Sequence, residues 1–332
     1  MTITKLANFV FRSSLAVVAI LGTGEIARAK DVSDFYGLSN AIAVGEENII
    51  NVKQDITFND AIIIERGNLT ISGPGGGEVK LDEVGQHRFF TIGEDQKNIS
   101  LKNLHLDGGH DNERESIYNS EKQNLIPNPM AGGGAINLRK GTKVILENIT
   151  FSNSQTAGGG GAICSQGTDN DNRNSLNFTG KTTFDGNKTI GIMNGGGAIS
   201  VVYSSLTFGG LAIFENNRAR YGGAIFASDG SSIEFNNGLL LIENTTKKAD
   251  SGAIDMYGSE NELAIITIIQ RNPLVPTEFR GNTSEDGGHN AIYMTRYSQL
   301  NLTAHDGSID IFDDFSGNRE GPDNIITIYK GE

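Results

Sequence analysis

Hydrophobic residues along this chain come in short alternating runs and not in helical stripes. Ile49–Val52 and Ile56–Phe58 open the series. Ala61-Ile62-Ile63-Ile64, Leu69-Thr70-Ile71-Ser72, Phe89-Phe90-Thr91-Ile92 and the run Ile99–Leu106 continue it. Gly, Asn and Asp punctuate these runs, which predicts short strands joined by tight corners. In the last run Leu101, Asn103 and His105 alternate against Lys102, Leu104 and Leu106, with apolar residues on both sides, so this run is expected to span a corner. Phe35–Val44 differs: it is amphipathic and reads as a short helix or irregular cap over the first coil.

From about residue 131 two words recur. Gly133-Gly134-Ala135-Ile136 returns as Gly160-Gly161-Ala162-Ile163, Gly196-Gly197-Ala198-Ile199 and Gly222-Gly223-Ala224-Ile225, with Ser251-Gly252-Ala253-Ile254 as a weaker copy. The second word, Phe-x-x-Asn, joins Phe184 to Asn187, Phe214 to Asn217, Phe279 to Asn282 and Phe315 to Asn318; Phe151-Ser152-Asn153-Ser154 is a near match. Recurring words of this kind mark one supersecondary unit used many times. Paired glycines let one backbone pass close to the next. Ala-Ile starts a short buried strand. Phe stacks on its counterpart in the next coil. Asn tolerates the left-handed conformation and turns a corner, and stacked Asn side chains can bond one another as a ladder.

The alanines of the first word, continued to Ala291, are separated by 27, 36, 26, 29 and 38 residues. That irregularity fits one coil plus corners of varying length. Short strands and sequential Gly/Asn corners predict an all-β fold, a parallel β-helix of roughly a dozen coils about 4.8 Å apart; the usual hand of parallel crossovers makes it right-handed. The polar stretches at 111–130, Asp169–Asn174 and Asn272–Pro276 read as loops pushed out of the stack.

Composition agrees with a thin solenoid core. The chain has 43 Gly, 6 Pro, no Trp and one Cys. A lone Cys164 allows no internal disulfide and is read as structural. Lys5 and Arg12, then the apolar Ser14–Leu21, then Ala27-Arg28-Ala29 resemble a secretory signal cleaved after Ala29. This divides the chain into a signal (1–29), an N-terminal cap (30–60) and a β-helix domain (61–332). The net charge is −13; residues 1–29 carry Lys5, Arg12 and Arg28 against Glu25, or +2, leaving −13 − 2 = −15 on the remainder. That balance disfavours nucleic acid and anionic membranes as partners.

Taken together, Gly-Gly-Ala-Ile and Phe-x-x-Asn resemble the repeats of the polymorphic outer membrane proteins and related autotransporter passengers of Gram-negative bacteria. The resemblance covers roughly residues 60–332. It implies export, display at the cell surface or secretion, and attachment to a host-cell or matrix receptor or glycan, with no cofactor. In that family the two words themselves are linked to adhesion; here they are Phe214–Asn217 with Gly222–Ile225, and their repeats. Autotransporters end in a membrane β-barrel, and the residues up to Glu332 show no such segment. The expectation is therefore a truncated product, a passenger whose barrel is encoded elsewhere, or a secreted relative.

Two other readings compete. Parallel β-helices also carry polysaccharide lyases and hydrolases, whose sites need clustered carboxylates. The candidates are Asp107, His110 and Asp111, Asp286 with His289, and Asp313 with Asp314. Each also reads as a turn, since Asp-Gly is a turn signal. Self-association through exposed β-edges is the third. Walker, zinc-protease, paired-Cys and Gly-x-Ser-x-Gly motifs are absent from the sequence.

Overall fold

The computed structural model of the protein describes residues 28–74, 79–83, 86–111, 116–119, 124–127, 131–191, 195–247, 252–272, 274–285, 290–295, 297–304, 309–311, 313–317 and 325–330. Strands of successive coils pair in parallel, and they stack as a parallel β-helix. One coil shows the plan. Ser204–Phe208 lies on a first face and Ala212–Glu215 on a second. The two-residue strand Arg218–Ala219 forms a narrow side, Ile225–Ser228 a third face, and Ser232–Phe235 begins the next coil. Among the described residues the first two faces form one 17-stranded sheet, the third a nine-stranded sheet and the narrow side a six-stranded sheet.

Side chains of one type fall into columns because every rung repeats the same register. On the first face the paired series runs Ile50, Ile71, Leu101, Leu146, Phe178, Phe208, Phe235, Ile268, Leu302 and Ile328. On the third it runs Ile62, Phe90, Ile136, Ile163, Ile199, Ile225, Ile254, Ile292 and Phe315. The described side chains of these columns form the core, and every one is at most 4% exposed. Parallel pairing needs a crossover to bring the chain back, and here the rest of the coil is the crossover.

The Ile99–Leu106 run does turn a corner. Strand Ile99–Asp107 pairs with Leu69–Ser72 through its first half and with Val79–Glu83 through its second, and between them Asn103 has φ 53°. Phe35–Val44 is an α-helix. Asp34 caps it by accepting from Gly37 N at 2.7 Å, and Gly45 ends it at φ 76°. Its Leu38, Ala41 and Ile42 are buried, and Phe35 meets Phe58 edge-on at 5.3 Å. The expected signal lies almost wholly outside the described residues. Strand Ala29–Val32 pairs with Ile49–Val52, so a start at Lys30 falls inside that strand.

One stretch expected as a loop carries structure of its own. Within 111–130, Ser116–Asn119 and Asn124–Pro127 form an antiparallel hairpin, paired only with each other among the described residues. In its register Ile117 pairs with Ile126 and Tyr118 with Leu125.

Candidate functional site

The segment Phe214–Ile225 runs from the end of the second face across the narrow side to the start of the third, and its two words do separate jobs. Phe151, Phe184 and Phe214 stack face to face at 4.9 and 4.7 Å, with planes within 7°. Beside them Phe178, Phe208 and Phe235 form a second stack at 4.2 and 4.8 Å. The stacks meet edge-on, as Phe208 does with Phe214 at 5.9 Å and 72°. All six rings are buried. Each such aromatic pair adds about 0.5–1.5 kcal/mol beyond area burial.

The asparagines form an internal ladder. Asn187 Nδ2 donates to Asn217 Oδ1 at 3.0 Å, Asn217 Nδ2 to Asn244 Oδ1 at 3.0 Å, and Asn244 Nδ2 to Asn282 Oδ1 at 2.9 Å. Asn282 Nδ2 donates to Asp313 Oδ2 at 2.7 Å. The second amide proton reaches back to the carbonyl of the preceding rung, as from Asn217 to Phe184 O at 3.0 Å. These four asparagines have no exposed surface. The left-handed residue at the corner is the one before the ladder Asn: Gly186, Asn216, Glu243 and Gly281 have φ 65°, 57°, 54° and 69°. This corrects the expectation that the repeated Asn itself takes that conformation. Its amide must point inward along the stack, so the preceding residue makes the turn.

Both glycines of Gly-Gly-Ala-Ile are sterically required. The first (Gly133, Gly160, Gly196, Gly222) has positive φ, and a Cβ there would overlap the carbonyl of its own Ile three residues on. A Cβ on the second (Gly134, Gly161, Gly197, Gly223) would strike the backbone of the next coil. The alanines stack with backbone bonds: Ala135 N to Ala162 O, Ala162 N to Ala198 O and Ala198 N to Ala224 O, each 2.9 Å. The glycine segments fold over the outer side of the third face. A Cβ on Gly132, Gly159 or Gly195 would meet the side chain of Cys164, Ser200 or Phe226 in the following coil. Cys164 is consequently buried, and burial pushes its thiol up to about 12.

One predicted repeat position lies elsewhere. Phe315 pairs with Ile292 and so belongs to the isoleucine column of the third face, not to the phenylalanine stack. The coil after Phe279 puts Ile311 at the stack position and Asp313 at the end of the ladder. Asn318 lies outside the described residues. Conversely, Asn244 is a ladder rung that the word missed, because its coil carries Leu241 where the others carry Phe.

The candidate carboxylates are held in structural networks. Asp111 is buried and paired with Arg88 at 2.5 Å; it also accepts from Gly132 N at 2.7 Å and Thr156 Oγ1 at 2.9 Å. Arg88 Nη1 donates to Gly132 O at 2.9 Å. This clamp joins the two ends of the 112–130 excursion. His110 Nε2 accepts from the Gln155 amide at 3.1 Å. Asp107 sits on the outer side of the second face. It accepts from Ser152 Oγ at 2.5 Å and Asn153 Nδ2 at 2.7 Å, and it pairs with Lys80 at 2.8 Å. Partial burial pushes its carboxyl up, but the bonds from Lys80, Ser152 and Asn153 outweigh this and hold it at about 2. His105 Nε2 lies 2.7 Å from Ser152 Oγ. The serine proton goes to Asp107, so His105 donates to Ser152 and does not take its proton, the reverse of what an activated nucleophile needs. Asp313 closes the Asn ladder. Asp286 and His289 lie outside the described residues, as does the side chain of Asp314. No group of three or more metal-type ligands occurs among the described residues.

A family model described as the Chlamydia polymorphic membrane protein (Chlamydia_PMP) repeat matches residues 212–228, the coil segment that carries both words. A solved structure, L. reuteri 53608 SRRP, is similar over 91% of this chain and 100% of its own, with 14% identity and a TM-score of 0.39. Comparison with curated proteins gives no match. Among the described residues no helix is long and apolar enough to cross a membrane.

Proposed function

We propose that this chain is an exported, adhesin-like β-helix that works without catalysis at a cell surface or in secreted form. It would attach to a receptor or glycan of host or other cells. The match of the polymorphic membrane protein repeat to residues 212–228 carries this reading. The described Phe, Asn, Ala and Ile side chains that define the two words are buried, so they serve the scaffold, and contacts fall to corners and insertions. The carboxylates weighed for an enzyme also support it, since Asp111 and Asp313 are tied into the fold.

The test uses purified residues 30–332. Saturable binding to cells or matrix without depolymerisation of an acidic polysaccharide is expected. Depolymerisation in the absence of binding overturns the reading in favour of a lyase or hydrolase. Oligomers that grow with concentration, and no attachment to cells, would favour self-association instead.

A further inference from the structure

We propose that the corner between the third and first faces, at Tyr203, Tyr257 and Leu263, docks a lysine- or arginine-rich segment of a partner polypeptide. The proposal rests on reading the chain as a binding protein and names the chemistry of its partner.

Large apolar side chains are exposed at this corner. Tyr257 is 56% exposed and Leu263 is 39% exposed, and they flank the tight turn closed by Ser259 and Glu262. Tyr203 stands one residue ahead of Ser204, where the next coil has Gly230 ahead of Ser231. Gly230 has φ 65° and meets this backbone without strain, whereas Tyr203 holds φ 42° with a full side chain. The Tyr203 ring lies against Gly230, where an added Cβ would touch both the ring and the Glu262 carboxylate.

Negative charge lies at this corner. Tyr203 N donates to Asp229 O at 2.9 Å and Asp229 N to Tyr257 O at 3.1 Å, so Asp229 sits between the two tyrosines, and the Glu262 carboxylate lies beside the Tyr203 ring. Burial raises the Tyr203 hydroxyl above its ordinary value, Glu262, Asp229 and Asp169 raise it further, and Arg173 lowers it. Asn170, on the insertion beside Asp169, donates to both Glu262 oxygens at 3.0 and 3.1 Å and holds that carboxylate over the corner. The nearby cation, Arg173, binds the Asn170 side-chain oxygen at 2.9 and 2.5 Å. Aromatic faces beside carboxylates complement the alkyl stem and charged head of Lys or Arg. A chain of net charge −13 attracts such a segment over distance.

The experiment measures binding of the full chain to a lysine–glycine repeat peptide, with a glutamate–glycine peptide as control, by fluorescence anisotropy. The variants are Tyr257→Ser and Asp229→Asn with Glu262→Gln, each checked for unchanged melting. The lysine peptide is expected to bind and the glutamate peptide not to. Each variant should weaken binding about fivefold or more, and salt should weaken it further. Equal binding by parent and variants, or no preference for the lysine peptide, overturns the proposal. Cell attachment separates the two claims. A parent chain that attaches to cells but ignores the lysine peptide keeps the adhesin reading and sinks this one. Peptide binding through Tyr257 with no attachment does the reverse.

Discussion

Asn217 and Asn244 stand one coil apart, and Asn217 gives both its backbone N–H and its side-chain amide to one oxygen, Oδ1 of Asn244, at 3.1 and 3.0 Å. In turn Asn217 Oδ1 accepts the backbone N–H and the amide of Asn187, each at 3.0 Å. One side chain thus satisfies donors and acceptors of three coils where water has no access. Asn217→Ala takes the acceptor from the Asn187 backbone N–H and from one proton of its amide, and a donor from Phe184 O, at about 1–3 kcal/mol for each buried orphan. A loss of roughly 3 kcal/mol or more is expected from the urea midpoint. A loss below about 1 kcal/mol would show that the corner relaxes around the gap.

Glycine substitutions should divide by position. Gly197→Ala drives a Cβ into the Gly223 carbonyl and the backbone of Arg218, so it is expected to cost at least about 3 kcal/mol or to prevent folding. At Gly209 a Cβ would meet only Phe178 O at 3.5 Å. Gly209→Ala should therefore stay within about 1 kcal/mol of the parent. Chemical denaturation of both variants checks the contrast.

Much of this was legible in the sequence because the coil repeats its words. Gly222–Ile225 and Phe214–Asn217 announced a stacked fold, and apolar residues on both sides of the Ile99–Leu106 run announced a corner. What escaped depends on pairings between coils. Leu241 hides the ladder residue Asn244, since Leu and Phe fill the same core column. Phe315 looks like a stack residue, yet its coil is shortened and places it on another face. Nor does any local pattern join Arg88 to Asp111, whose contact depends on how the coil closes after the insertion. The tyrosine corner gave no signal either, because Tyr203 and Tyr257 share it only through stacking, two coils apart with Asp229 between them.

The clamp beneath the inserted hairpin gives a further expectation. Arg88→Met leaves Asp111 buried without its counter-charge, at a cost of about 3–5 kcal/mol. Adding Asp111→Asn should recover part of that loss, because the unpaired charge is gone. Urea unfolding of the single and double variants measures the coupling; strictly additive losses would contradict a paired clamp.

Acid should weaken the second face. The Asp107 carboxyl sits at about 2 in the folded chain, against the ordinary 3.8 of a free aspartate. Its contribution to stability is therefore present above about pH 4 and is lost as pH falls through about 2. Asp107→Asn should lower stability at pH 7 and flatten the fall between pH 4 and 2. An unchanged acid profile in this variant would assign the acid sensitivity to other carboxylates.

In the proposed function the recurring words build the scaffold while corners and insertions make contacts. Phe214→Leu tests it most directly, since Leu241 already occupies the same column one coil on. Melting and attachment of purified residues 30–332 are measured together. Loss of one ring from the stack should cost about 1–2 kcal/mol and lower the melting temperature, with attachment unchanged at temperatures where the variant is folded. Attachment lost with melting unchanged would contradict the account and make Phe214 part of the contact surface.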